Sequence, residues 1–242
     1  MIWAIIALAF GGIVKGAIGA GVPIIAIPVL TMTHDVQFAV AVLLAPNLVA
    51  NMLQAWAYRS DLLPRRFLLP FALGGAAGVA FGTYGLTRVP QGALSLTVAV
   101  AVLTYVAIRL LNPSLTLQYQ LGRKLALPIG VISGVLQGST GMSAPISVTF
   151  LNALRLERPV FIGTIAVFFT ALTIMQIPAL AVTGILTPER ALVSLVALAT
   201  VLAFMPVGAL LAKHLSRRFF DFVTLGLLVV LAGKIIIDVL VL

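Results

Sequence analysis

Apolar residues run through this chain in long blocks rather than in alternation with polar ones. Six blocks of about 20 residues carry few or no charges: Val36 to Ala57, Phe67 to Leu86, Gly92 to Leu111, Val160 to Val182, Ala191 to Ala212 and Phe219 to Leu242. Each is long enough to cross a hydrocarbon core of about 30 Å as one helix. Two further apolar regions, Ile2 to Met32 and Leu125 to Leu154, are about 30 residues each, too long for one untilted span and too short for two. Glycines and a proline interrupt each of them near its middle.

The two interruptions match. The first reads GIVKGAIGAGVP, with Gly12, Gly16, Gly19 and Pro23; the second reads GVLQGSTGMSAP, with Gly134, Gly138, Gly141 and Pro145. Every pair is 122 residues apart, and the same offset relates Asp35 to Glu157 and Gln54 to Gln176. A register kept over roughly 40 residues predicts two homologous halves. The first covers residues 1–114, the second 122–242, and the linker, 115–121, lies within the polar stretch Asn112 to Lys124.

Composition gives these blocks their setting. With 62% hydrophobic and 9% charged residues, the chain cannot cover a water-facing surface, so it reads as an all-α polytopic membrane protein in a lipid bilayer. The absence of cysteine rules out disulfides and thiolate chemistry. The net charge of +9 would suggest nucleic acid in a soluble domain. In a membrane protein it reads as basic cytoplasmic loops, and no nucleic-acid partner is expected. The first charge is Lys15, so the leading apolar run has no positive region before it and does not read as a cleaved signal peptide.

Charge also separates two topologies. Were each interrupted region a plain single span, basic residues would divide evenly between the two sides. Were each a re-entrant hairpin that leaves on the side it entered, eleven would share one side: Arg59, Arg65, Arg66, Arg109, Arg123, Lys124, Arg155, Arg158, Lys213, Arg217 and Arg218. Only Arg88 and Arg190 would face the other. The positive-inside rule selects the hairpins. Each half then has a broken helix pair plus three transmembrane helices, an odd number of spans, so the halves are inverted repeats with both termini external. Secondary transporters are commonly built this way, with interrupted segments meeting near the midplane. The expected location is a bacterial inner membrane.

Pro23 and Pro145 suit the first turn of a helix, so the second arm of each hairpin should begin there, deep in the membrane. Unpaired N–H groups and the helix dipole at such an end favour an anion. Gly16, Gly19, Gly21, Gly138 and Gly141 would let it approach the backbone, and Ser139, Thr140 and Ser143 would add hydroxyl donors. Lys15 lies in the first break, where a cation costs roughly 2.5 to 3.5 kcal/mol unless it faces the interior. A lysine snorkelling to the interface is the alternative. Its counterpart, Gln137, is uncharged, so the site should be asymmetric.

Asn47, Asn51 and Gln54 share one helix face, and Thr173 and Gln176 align with the last two of them. Such amides serve substrate contact and interhelical hydrogen bonding equally well. Gly74, Gly78 and Gly82 form a small-residue stripe that reads as helix packing. Lys234 and Asp238, four apart, can pair as a structural feature or belong to an ion-coupling path. His34 and His214 read as interfacial residues without metal-ligand company. No cofactor or metal is implied.

The paired glycine-rich, proline-terminated segments, in a chain of this length and hydropathy, resemble the sulfite exporter TauE/SafE family of permeases. That resemblance implies eight helices and transport of small sulfur-containing anions such as sulfite, sulfonates or related organosulfur acids, with a coupling ion, proton or sodium, left open. An anion channel of the same architecture is the alternative. An intramembrane enzyme is disfavoured, because the sequence has no HExxH and no serine with a base at helical spacing.

Overall fold

Two breaks organise the molecule. Helix α1 (Ile2–Ile18) stops at Gly19, whose φ is +86°, and Gly21 follows at +145° before α2 (Val22–Thr33) begins with Pro23 in its first turn. Far along the chain α7 (Tyr119–Thr140) stops at Gly141, φ +76°, and α8 (Ala144–Ala153) opens with Pro145. A left-handed residue ends a helix at little cost only when it is glycine, and proline tolerates the first turn because that N–H would be unpaired anyway. The ends agree across the offset of 122: Ile18 with Thr140, Val22 with Ala144.

The structure, a computed structural model, describes residues 2–111, 115–212 and 217–241, and the side chains of these except 217–221 and 240–241. Lys213 and His214, and the side chains of Arg217 and Arg218, lie outside the described residues. All the described elements are helical. The remainder are α3 (Val36–Val42), α4 (Leu44–Ala57), α5 (Arg65–Arg88), α6 (Gln91–Leu111), α9 (Arg158–Val182), α10 (Pro188–Leu211) and α11 (Arg217–Val241). Among the described residues six stretches are long and apolar enough to cross a membrane, and they match the six blocks read from the sequence to within a few residues.

The first of these is not straight. Between α3 and α4 the chain turns at Leu43, a kink that the sequence reading passed over. Pro46 explains it, since it has no N–H for the Val42 carbonyl and its ring crowds that turn. Ser194 of α10 then accepts the Ala45 N–H at 2.9 Å.

Packing crosses between the halves. The α5 stripe Gly74, Gly78 and Gly82 lies directly on α7, whose own glycines Gly130, Gly134 and Gly138 meet Phe71, Gly75 and Val79 of α5. Helix α1 packs on α10 in the same manner, Gly12 against Val201 and Gly16 against Met205. In lipid the hydrophobic effect does not drive helices together, so close backbone approach through small residues does. Helix α1 therefore seats on α10, and α7 on α5.

Helix ends sort onto two faces. Leu63 donates its N–H to Thr164 Oγ1 at 3.2 Å, joining the end of α4 to the start of α9, so these helices run antiparallel. Leu117 N–H bonds Ala153 O at 2.7 Å, which brings the start of α7 and the end of α8 together as the two ends of a hairpin. Phe67 stacks on Tyr119 and Phe150 at the same level. Arg59, Arg65, Arg66, Arg123, Lys124, Arg155 and Arg158 all belong to these segments, and this end is called the basic face below. At the opposite face Gln37 bonds Leu86 O at 3.1 Å, and Asp35 lies 3.9 Å from Arg190.

Candidate functional site

The first break brings α1 against α4. Lys15 is buried, 2% exposed, and its Nζ donates to Asn51 Oδ1 at 2.8 Å and to Gly19 O at 3.4 Å. Asn51 in turn donates Nδ2 to Asn47 O at 2.7 Å. Gln54 Nε2 reaches the main-chain oxygen of Lys15 at 3.5 Å, an oxygen that also accepts the Gly19 N–H at 2.8 Å. The ammonium thus points into the protein rather than snorkelling, and its two oxygen partners offset the cost of its depth.

The second break repeats the arrangement in neutral form. Gln176 Nε2 donates to Gln137 O at 3.1 Å, the bond that Gln54 makes to Lys15, and Gln137 Nε2 donates to Gln176 Oε1 at 3.1 Å. Residues 15 and 137, and 54 and 176, occupy equivalent places. One half holds an ammonium there and the other an amide.

Between the breaks lies a cavity of about 20 Å³ lined by Gly21, Pro23, Ile24, Asn47, Asn51, Gln137, Ser143, Ala144, Phe169 and Thr173. It has room for one water-sized molecule. Three pairs in its wall are related by the same offset: Gly21 with Ser143, Asn47 with Phe169, and Asn51 with Thr173. The N-termini of α2 and α8 both reach it. Ser143 Oγ, fully enclosed, has no hydrogen-bond partner, whereas the Thr173 hydroxyl is turned back to Phe169 O at 2.8 Å. A buried donor left unpaired beside a cavity costs stability unless something occupies that cavity.

Of the residues the sequence singled out, the cavity wall gathers Gly21, Asn47, Asn51, Gln137, Ser143 and Thr173. Lys15, Gln54 and Gln176 stand immediately behind it. Gly16 and Gly138 serve instead as contact points on α10 and α5. Gly19 packs against Ile162, and Gly141 against Ile27 and Val40, rather than against each other. Ser139 bonds Val135 O at 2.9 Å on its own helix, and Thr140 bonds Leu136 O at 2.7 Å; neither lines the cavity. Lys234 and Asp238 pair at 2.8 Å, half-exposed and away from the cavity. His34 stacks on Phe38. Among the described residues no three His, Cys, Asp or Glu side chains gather as metal ligands.

The profile of the sulfite exporter TauE/SafE family matches residues 4–235, nearly the whole chain. The chain belongs to that family. Comparison with curated proteins and with solved structures gives no match. A TauE/SafE protein is a membrane transporter and not an enzyme. Of the cavity's apolar liners, Pro23 was read from the sequence only as the start of α2, and Ile24, Ala144 and Phe169 were not read at all. Phe169 could have been found by adding the repeat offset to Asn47.

Proposed function

We propose that the protein is a secondary transporter that carries a small sulfur-containing anion, such as sulfite, a sulfonate or a related organosulfur acid, by alternating access around this cavity. The observation that carries the reading is the cavity wall itself. Two helix N-termini, an unpartnered hydroxyl and amides from both halves converge there, with one ammonium behind them. Such donors suit an oxyanion that has left its water behind. The confined space supports a carrier rather than a channel, because conduction needs an unobstructed path.

The halves, residues 1–114 and 122–242, act as inverted repeats joined by a linker at 115–121. The antiparallel pairing of α4 with α9 and the exchange of helix partners between halves support that relation. The basic face is cytoplasmic and both termini are external, on the positive-inside rule, in a bacterial inner membrane. Proteoliposomes supply the test. Saturable uptake with accelerated exchange when unlabelled anion is present on the far side is the expected result; flux that rises linearly with concentration contradicts it. Titrating sulfite, thiosulfate, sulfonates and carboxylates against purified protein identifies the anion.

A further inference from the structure

We infer that Arg158 is a gate residue of the transport cycle, bolting the hairpin α1–α2 shut at the basic face, and that the described residues place no equivalent bolt at the position related to it at the opposite face. The inference rests on the alternating-access reading above.

The two hairpin turns close the cavity from opposite sides. The turn of the first lies toward the basic face, where Gly19 packs on Ile162, one helical turn beyond the start of α9. The turn of the second lies toward the other face, where Gly141 packs on Val40, one turn beyond the start of α3. Ile162 and Val40 are themselves related by the offset of 122. Each gate therefore sets a glycine turn against aliphatic side chains, Ile162 alone at the first and Val40 together with Ile27 of α2 at the second.

Arg158 breaks the likeness. Its Nη2 donates to Ala17 O at 2.8 Å, a carbonyl at the C-terminal end of α1 whose helical acceptor role ends with the break. Ala17 is buried, whereas Arg158 sits exposed at the first residue of α9. A guanidinium at a helix C-terminus is doubly favoured, by the hydrogen bond and by the dipole. The position equivalent to Arg158 is Val36, an apolar side chain with no exposed surface, which can donate nothing to the other hairpin. One gate adds a charge-assisted bond to its apolar contact; at the other, the described residue at the equivalent place, Val36, adds only more apolar contact. Parting the turn from α9 at the basic face must break the Arg158 bond first, so the protein rests with that side closed.

Sidedness of the central cavity tests this. The chain has no cysteine, so Thr173→Cys places a single thiol in the cavity wall. Its labelling by a membrane-impermeant thiol reagent is then timed in right-side-out and inside-out vesicles. Arg158→Gln should speed labelling from the basic face about tenfold, the population shift expected for losing one charge-assisted bond, and slow it from the other face. Arg158→Lys, which keeps a cationic donor, should label more like the parent. Unchanged rates from both faces in Arg158→Gln would make the arginine a static helix cap and overturn the inference. Labelling rates that rise together from both faces in Arg158→Gln would instead show a path open to both sides at once, which defeats alternating access and the gate with it.

Discussion

Lys15 Nζ lies 2.8 Å from Asn51 Oδ1, with the amide between the ammonium and the cavity. The one buried cation among the described residues is therefore held one layer back from the place where a ligand would sit. Its field reaches the cavity directly and through the polarised amide, in surroundings where screening by water is weak.

Lys15→Gln turns the first half into a copy of the second, where Gln137 already pairs with an amide. The fold should persist, because glutamine can still donate to Asn51. Anion affinity should fall by about tenfold or more, equivalent to about 1.4 kcal/mol. Isothermal titration of parent and variant checks this. Equal affinities would leave the anion to backbone and hydroxyl donors alone.

Ser143→Ala should move stability and binding in opposite directions. Its hydroxyl is buried without a partner, so removing it should leave thermal stability unchanged or raise it, by up to about 1 kcal/mol. The same change removes a donor from the cavity and should weaken anion binding a few-fold. Thermal melts in detergent with and without the anion read both effects in one experiment.

Much of this arrangement was legible in the sequence, for reasons that particular residues make clear. The six spans, the two breaks and the prolines that open α2 and α8 follow from local rules of length, φ and missing N–H groups. What depended on partners was less visible. Ser139 looked equivalent to Ser143, but α7 runs on to Thr140, so the Ser139 hydroxyl turns back on its own helix while Ser143, beyond the break, faces the cavity. Arg158 reads in the sequence as one more loop charge, because its reach to Ala17 exists only once α1 and α9 are packed together. Pro46 kinks a span that hydropathy alone makes continuous, because hydropathy does not register a lost hydrogen bond.

The glycine seam offers a contrast between two helix positions of the same residue type. Gly134→Ala would drive a methyl group into the backbone of Gly75, whereas nothing lies within 4 Å of a methyl group at Gly85. Gly134→Ala should cost a few kcal/mol, in the range of core overpacking, and Gly85→Ala should be neutral or stabilising by roughly 0.5 to 1 kcal/mol. Folded yield and thermal melts of the two variants decide it.

Gln54 and Gln176 each tie a span to the backbone of the break beside it. Gln176→Leu should loosen α7 by about 0.5 to 1.5 kcal/mol for each bond lost. Gln54→Leu should do the same to α1, with a smaller effect because its bond is longer. Hydrogen exchange at residues 15–20 and 137–142 should report each change locally; protection unaltered in both variants would show that the amides do not hold the breaks.

The central claim is that both breaks build one anion site, and a structure determined with a saturating concentration of the anion that binds tests it most directly. The account predicts density between the N-termini of α2 and α8, within hydrogen-bonding distance of Ser143 Oγ and the Asn47 side chain, with the cavity widened to admit it. Density elsewhere, with this cavity still closed around its present volume, would contradict it.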